Sequence, residues 1–403
     1  MTSRTPFARS LPRNIIAIGS VSLLMGISST MILSLLPAFL VEVLGASALW
    51  VGTIEGIAES TASITKVFSG VLSDWIGRRK PLVIVGYALS ALVKPLFPLS
   101  HALSDVLIAR VIDRIGKGIR DAPRDALLAD VTSREIRGSG FGLRHALFSV
   151  GAVLGPLTAI ALMTMTGDNF RLVYWIAVIP ALLSVAVLVW SVEESPSNCV
   201  PVHRPVRFEL RNLALLPPTF WRLVAFASVI SLARFSQAFL LLKAVSVGVD
   251  AAYVPLVLVL VYAVYSTTSY PLGVLADRVG RHFLLGGGAV ILVLADVVLA
   301  FAATPAATAF GAALWGLQMG AVQGLFGAII ADIVPEARRG TAFGFYDLII
   351  GVAASIASVT AGTLWVIGGA ILTFGMGGAL AASAAVMLTI IWRRAPESES
   401  LAP

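Results

Sequence analysis

The stretch from Arg110 to Asp125 concentrates eight ionisable side chains, five basic and three acidic. Most recur at intervals of three or four residues, which places them on one face of an α-helix, with Arg120 at its margin. The set comprises Arg110, Asp113, Arg114, Lys117, Arg120, Asp121, Arg124 and Asp125. Its excess of two positive charges suits an anionic solute. The alternative is a ladder that neutralises the face, with Lys117 paired to Asp113 or Asp121 and Asp121 paired to Arg124.

Two carboxylates precede this stretch. Glu55 and Glu59 lie one helical turn apart, and carboxylates in an apolar setting can take up and release protons. Together with Asp113 they are candidates for proton coupling; the alternative is that they neutralise the arginines of 110–125. The candidates to line the same solute site from the second half are Arg234, Gln237 and Gln318.

Other chemistries find little support in the sequence. The single cysteine, Cys199, excludes an internal disulfide, and the four histidines are not at metal-ligand spacing. We recognise no Ser/His/Asp arrangement and no glycine-rich phosphate loop. We therefore expect neither an enzyme nor a bound metal or cofactor.

The composition places these residues in a membrane protein. Of 403 residues, 58% are hydrophobic and 13% are charged, whereas soluble proteins carry about a quarter charged residues. A helix needs about 20 apolar residues to cross the hydrocarbon core, and the apolar runs are too continuous for barrel strands. The pattern predicts an all-α membrane protein with twelve transmembrane helices, numbered as spans 1 to 12: 14–42, 48–75, 81–100, 104–132, 138–165, 171–190, 221–247, 252–275, 283–303, 306–333, 340–364 and 367–392.

Basic residues alternate between the two sides of these spans. Eighteen lysines and arginines fall in loops and tails on one side, and only Arg171 falls on the other. By the positive-inside rule the first side is cytoplasmic and holds both termini. The net charge of +7 is then a topology signal, and no nucleic-acid partner is expected. Because the first apolar run is longer than that of a signal peptide, we interpret it as a retained span of an inner-membrane protein.

Ten of the 29 basic residues remain inside spans. Each charge there costs at least ~2.5 kcal/mol and needs a structural or functional reason. Lys94, near the outer end of span 3, is expected to extend to the membrane interface. The others outside the sets named above are Lys66, Arg144 and Lys243.

The two halves of the chain share a repeated motif. Gly70-Val-Leu-Ser-Asp74-Trp-Ile-Gly77-Arg78 recurs 203 residues later as Gly273-Val-Leu-Ala-Asp277-Arg-Val-Gly280-Arg281. Each copy follows the second span of its half, and the proline-rich polar segment between the halves is typical of a linker. The repeat predicts two six-helix bundles, 1–192 and 221–403, joined by a cytoplasmic linker, 193–220.

Two six-span halves, a long linker and both loop motifs resemble the major facilitator superfamily over essentially the whole chain. The resemblance implies alternating access, in which two halves rock around a site near the bilayer midplane. It implies that spans 1, 4, 7 and 10 line the cavity and that the loop motifs act in gating; their alternative role is to fix topology. In span 5, Gly151, Gly155 and Pro156 partly resemble the family's antiporter motif, although small residues there also permit close packing.

Three functions remain open from the sequence. The first is proton-coupled export of a small anionic or amphiphilic organic solute by an antiporter. The second is proton symport that imports a small organic anion or a metal chelate. The third is a membrane sensor that does not transport, for which the short tails offer no signalling domain. The expected partners are lipid, protons and a small-molecule solute, and a monomer is expected.

Overall fold

The computed structural model describes residues 13–76, 78–132, 137–192, 216–335 and 339–393. All regular secondary structure in these residues is helical, and it follows the predicted spans. The helices are Arg13–Ala38 with a π-helical end at Phe39–Val43 (span 1), Ala48–Ile76 (span 2), Lys80–Val93 and Leu96–Leu99 (span 3), Leu103–Asp130 (span 4), Arg137–Thr166 (span 5), Phe170–Ser191 (span 6), Pro218–Ala233 and Ala238–Ser246 (span 7), Leu256–Val279 (span 8), Arg281–Phe301 (span 9), Pro305–Ile333 (span 10), and Arg339–Arg393 (spans 11 and 12).

Spans 11 and 12 form one continuous helical segment with a sharp break. Gly368 and Gly369 leave the helical conformation, and Gly369 has a φ of 61°, which a residue with a Cβ adopts at a cost. Within the described residues, nine apolar helical segments are long enough to cross a membrane, and the last of them contains both of these spans. Spans 2 and 4, with 29 and 28 residues, are also long enough but less apolar, and they bring the set to twelve.

The loops divide between the two ends of the bundle. We call the end that bears Arg78, Arg79 and Lys80 the basic end. The opposite end carries the turns between spans 1 and 2, 3 and 4, 5 and 6, 7 and 8, 9 and 10, and 11 and 12. Each span therefore has one terminus at the basic end and one at the opposite end.

The two halves pack against each other along spans 2 and 11. Small residues make this seam possible: a Cβ on Gly52 would collide with the Ser358 carbonyl, and one on Gly362 would lie 2.7 Å from the Ala48 carbonyl oxygen. Span 1 also contacts the second part of span 7, and span 5 contacts span 8. The seam starts at the turn before Ala48, so the halves are closed against each other at the opposite end.

The charged face of span 4 is positioned by two glycines. A Cβ on Gly116 would lie 2.7 Å from the Gly86 carbonyl oxygen of span 3, and one on Gly118 would lie 2.8 Å from the Ala62 carbonyl oxygen of span 2. The backbone of span 4 therefore lies directly against both neighbouring spans. Lys117 stands between these two close approaches in the sequence.

Candidate functional site

A buried ion pair joins span 4 to span 2. Arg110 Nη2 donates to both carboxylate oxygens of Glu55, at 2.6 and 2.7 Å, and each side chain is only 4% exposed. Asp113 lies next to this pair, with its Oδ2 4.0 Å from Arg110 Nη1. Glu55, the first of the predicted proton-coupling carboxylates, is therefore buried in an ion pair with Arg110.

One turn towards the basic end, a second pair is more open. Arg114 Nη2 lies 3.4 Å from Glu59 Oε1, and the Glu59 side chain is 38% exposed while that of Arg114 is 10% exposed. The longer distance and the exposure distinguish this pair from Arg110 and Glu55. The Glu59 carboxylate is therefore much more exposed than that of Glu55.

Lys117 lies one turn further along span 4. Its side chain is partly buried, and no hydrogen bond or ion pair to it is found among the described residues. The ladder that pairs Lys117 with Asp113 or Asp121 does not form, because Asp121 Oδ1 accepts from Arg124 Nη1 at 2.9 Å. Lys117 thus forms no ion pair among the described residues, although Glu59 and Asp121 lie within electrostatic range of it.

The rest of the span 4 charges form a network near the basic end. Arg124 pairs with Asp121 and also with Asp125, Nη2 to Oδ1 at 3.0 Å. Arg144 of span 5 lies 3.7 Å from the same Asp125 oxygen. These charges neutralise one another and tie spans 4 and 5 together.

Arg120 faces span 3, in agreement with its position at the margin of the charged face. Its Nη1 donates to Ser90 Oγ at 2.6 Å, and its guanidinium carbon lies 4.5 Å from the centroid of the Tyr87 ring. A stacked, hydrogen-bonded arginine of this kind holds two helices together.

The second half contributes a break in span 7. Helix Pro218–Ala233 ends there and Ala238–Ser246 begins, so Arg234 and Gln237 lie on a non-helical turn. Arg234 is partly buried and, among the described residues, has no hydrogen bond or ion pair. Tyr262 of span 8 donates to Gln237 Oε1 at 3.0 Å.

Tyr262 lies between the charges of the two halves. It is close enough to interact electrostatically with Arg114 and Glu59 of the first half and with Arg234 of the second. Tyr265 and Tyr346 also lie in the electrostatic range of Arg234. Arg114 and Arg234, from opposite halves, therefore both lie in the electrostatic range of the same tyrosine, and Lys117 lies one turn from Arg114.

The two halves are also joined by an ion pair. Lys66 Nζ of span 2 donates to Asp347 Oδ2 of span 11 at 2.6 Å, and both side chains are partly exposed. Asp347 corresponds in the repeat to His145 of span 5. The pair lies on the seam between the halves, towards the basic end from Gly52 and Ser358.

Two polar residues of the second half are enclosed in the helix bundle. Gln318 is fully buried, and neither amide atom has a partner among the described residues. Asp296 is also fully buried; its Oδ1 accepts from Trp315 Nε1 at 3.0 Å, and a Cβ on Gly377 would lie 2.6 Å from its Oδ2. Asp296 is not among the candidate functional residues identified from the sequence. The one feature of the sequence that could indicate it is its position as a lone carboxylate in an apolar run.

The prediction that Lys94 extends to the membrane interface is wrong. Its side chain is 1% exposed, and its Nζ donates to Ser29 Oγ of span 1 at 3.2 Å. Asp113 lies within electrostatic range of this ammonium group. A neighbouring hydroxyl and carboxylate stabilise Lys94 inside the bundle, so it has no need to reach water.

The loop motifs are described in part. Arg281 forms an ion pair with Asp332 of span 10, and Gly280 has a φ of 96°, which favours glycine at this turn. Gly70 faces Ala122 of span 4, at 3.6 Å from an added Cβ to the alanine Cβ, whereas the position of Gly273 is open. The motif positions outside the described part of the molecule are Gly77 and the side chains of Asp74 and Asp277; Arg78 is exposed.

The small residues of span 5 lie against span 1. A Cβ on Gly151 would lie 2.6 Å from the Leu23 carbonyl oxygen, and one on Gly155 would collide with Thr30 and lie 2.6 Å from the Ile27 carbonyl oxygen. Pro156 lies within the same helix. The geometry is that of two helices in backbone contact.

The sequence model of the Major Facilitator Superfamily matches this chain over residues 18–247 and 223–403. The chain belongs to this superfamily. It is therefore a multi-pass membrane transporter with the twelve-helix fold of that class. A relative from Methanocaldococcus jannaschii, described as an uncharacterised MFS-type transporter, is 30% identical over 389 residues, 95% of this chain and 96% of its own.

Two further similarities concern part of the sequence and the fold. The multidrug resistance protein MdtH of Photorhabdus laumondii is 29% identical over 168 residues, 42% of this chain and 40% of its own. Among solved structures, a POT family transporter in complex with 5-aminolevulinic acid superposes with a TM-score of 0.80 at 12% identity, covering 99% of both chains. At this identity the superposition shows the shared fold alone.

Proposed function

We propose that this transporter moves a small organic anion or anionic amphiphile across the cell's inner membrane, coupled to protons, and that it exports the solute. The observation that supports an anion is a pair of cations from opposite halves, Lys117 and Arg234, that form no hydrogen bond or ion pair with the described residues. Arg234 lies within electrostatic range of Tyr262, as does Arg114, which is one turn from Lys117. A solute carboxylate or phosphate would supply the missing negative charge through charge-assisted hydrogen bonds.

A solute site shared by the two halves suits transport by alternating access, in which the halves move relative to each other. The seam between spans 2 and 11 closes the opposite end, and the Lys66–Asp347 pair lies on it. Rocking of the halves would open this seam and separate the pair. By the positive-inside rule the basic end is cytoplasmic, so this structure is closed towards the outside.

Export is supported by a partial sequence similarity and by span 5. MdtH is named as a multidrug resistance protein, and Gly151 and Gly155 partly follow the antiporter pattern against span 1. In this scheme the solute binds from the cytoplasm, and protons enter in exchange. Glu59, the exposed carboxylate beside Arg114, is the candidate that carries the proton, with Glu55 and Asp113 behind it.

The Glu59–Arg114 pair favours a second candidate, proton symport. When Glu59 is ionised it competes with a solute anion for Arg114, which lies 3.4 Å away. Protonation of Glu59 removes this competitor, so a proton and an anion would bind together. Coupled import of a small organic anion or an anionic metal chelate would follow from that order of binding.

Proteoliposomes with an imposed pH gradient test the proposal and separate its two forms. A panel of radiolabelled organic anions is added while a pH dye inside the vesicles reports proton movement. Antiport predicts solute and protons moving in opposite directions, and symport predicts the same direction. Lys117→Gln and Arg234→Gln should abolish transport, and Lys80→Gln, the same charge change at the basic end, should not. A solute flux that ignores the pH gradient, or survives both site changes, would contradict the proposal.

A further inference from the structure

Lys243 is an intramembrane cation that the proposed transport site does not use. It lies in the second part of span 7, three residues before that helix ends at Ser246. Its side chain is only 6% exposed. In contrast to Lys94, it has no side-chain hydrogen bond or ion pair among the described residues. A lysine that merely extended to water would be far more exposed.

The residues around Lys243 form a pocket at the opposite end of the bundle. The cavity has a volume of about 470 Å³, within the range of small-molecule sites. Three turns meet there: the end of span 7 at Ser246, the end of span 9 at Phe301, and the break between spans 11 and 12 at Gly368 and Gly369. Because turns between spans lie at the membrane surface, the pocket is at headgroup depth.

A helix N-terminus also faces this pocket. Span 12 starts after Gly369, and Gly368 to Ile371 line the cavity. The first N–H groups of a helix have no acceptor within the helix and carry a partial positive charge. The carboxyl-terminal ends of spans 7 and 9 also reach the region, at Ser246 and Phe301. An anion would therefore meet one full positive charge and one partial positive charge.

The rim of the pocket is apolar and exposed. Phe301 and Ile371, which line the cavity, and Val366 and Ile367, which precede the break, all have exposed side chains. Trp365 forms part of the wall, and tryptophans are enriched at the level of the lipid headgroups. An occupant that carries both a negative group and an acyl chain matches a buried cation with an apolar rim.

We propose that the pocket formed by Lys243, Ser246, Phe301, Trp365, Gly369 and Ile371 binds the phosphate of an acidic phospholipid. The ammonium group and the first amides of span 12 hold the phosphate oxygens, and the acyl chains lie over Phe301 and Ile371. Basic pockets between transmembrane helices bind acidic headgroups in this way. The bound lipid links three turns of the second half and stabilises that bundle.

Lipid titration of the purified protein tests this binding site without any transport assay. Thermal unfolding in detergent is followed while dioleoyl phosphatidylglycerol, dioleoyl phosphatidylcholine or glycerol 3-phosphate is added. Wild type is compared with Lys243→Gln and with Lys243→Arg, which keeps the charge. Arg171→Gln is the matched control, because it removes a basic residue at the same end of the first half. Native mass spectrometry counts the lipid molecules retained by each variant.

Phosphatidylglycerol should raise the Tm of wild type, Lys243→Arg and Arg171→Gln and be retained by all three. Its affinity for Lys243→Gln should be about fivefold weaker, as the loss of one lysine–headgroup contact implies. Equal affinity in wild type and Lys243→Gln would overturn the site. Equal stabilisation by phosphatidylcholine would overturn the acidic headgroup. Stabilisation by glycerol 3-phosphate that depends on Lys243, without a gain from the lipid, would overturn the lipid as occupant.

Discussion

Lys66 Nζ lies 2.6 Å from Asp347 Oδ2, and this ion pair crosses from the first half of the transporter to the second. The pair is partly exposed, so it contributes on the order of 0–1 kcal/mol. A contribution of that size is small for folding, yet it matters for two conformations that differ by a few kcal/mol. The pair therefore biases the conformation in which the opposite end is closed.

Removal of this pair should shift the conformational equilibrium. We expect Asp347→Asn to lower the population of the closed state by up to about fivefold and to leave the Tm almost unchanged. Distances between spin labels placed at the opposite ends of spans 2 and 11 measure the population. The exchanged variant Lys66→Asp/Asp347→Lys should restore the wild-type distribution. An unchanged distribution in Asp347→Asn would show that the pair has no influence on the two states.

The buried pair of Arg110 and Glu55 should behave differently. Glu55→Gln leaves the buried guanidinium of Arg110 with only the carboxylate of Asp113, 4.0 Å away, so we expect a loss of about 3–5 kcal/mol of stability. Glu59→Gln removes a longer, more exposed contact to Arg114 and should cost less than about 1 kcal/mol. Thermal unfolding of both variants in the same detergent measures the difference. Similar Tm values for the two variants would contradict the assignment of Glu55–Arg110 as a buried pair and of Glu59–Arg114 as a more exposed pair.

The contact between spans 5 and 1 predicts a packing defect. Gly155→Ala would push a methyl group into Thr30 and the Ile27 carbonyl, and we expect a loss of about 1–3 kcal/mol. Gly142→Ala in the same helix is the matched control, because nothing lies within 4 Å of its added Cβ. That control should be neutral or gain up to about 1 kcal/mol from helix propensity. Equal Tm changes in the two variants would rule out backbone contact at Gly155.

The solute site predicts two losses of affinity with little loss of stability. Lys117 and Arg234 form no hydrogen bond or ion pair with the described residues, so Lys117→Gln and Arg234→Gln should keep the wild-type Tm or raise it. Each removes a charged hydrogen-bond donor to the solute, and binding of the best-transported anion should weaken about tenfold or more. Calorimetric titration measures the affinity. Full affinity with either variant would remove that residue from the site.

The sequence was sufficient for the helices and for the charged face. The lengths of the apolar runs predict twelve spans. A spacing of three and four residues predicts that Arg110, Arg114, Lys117 and Arg124 lie on one side of span 4. Even the marginal position of Arg120 followed from that spacing, since it turns to Ser90 of span 3. Local periodicity fixes the direction of a side chain because helix geometry is the same everywhere.

The partners of these charges followed from the sequence only in part. The alternative that Glu55 and Glu59 neutralise arginines of span 4 agrees with their pairing to Arg110 and Arg114. Spacing along span 4 allowed Asp121 to pair with Lys117 or with Arg124; it pairs with Arg124, and Lys117 forms no ion pair among the described residues. Lys94 appeared interfacial from its position, yet Ser29 of another helix receives its ammonium group. Asp296 gave little signal because its partner, Trp315, belongs to the next span. Such contacts depend on how helices pack, and one sequence without tertiary information does not specify that packing.

Accessibility of Lys117 tests the central claim, that water and solute reach the charged face of span 4. Lys117→Cys is prepared after the single native cysteine, Cys199, is replaced by serine, and a membrane-impermeant anionic thiol reagent is applied to proteoliposomes from each side. We predict modification at Lys117→Cys from the side of the basic end, and protection by the transported anion. The buried Gln318→Cys should stay unmodified. Absence of modification at Lys117→Cys from both sides, in a folded protein, would contradict a transport route along span 4.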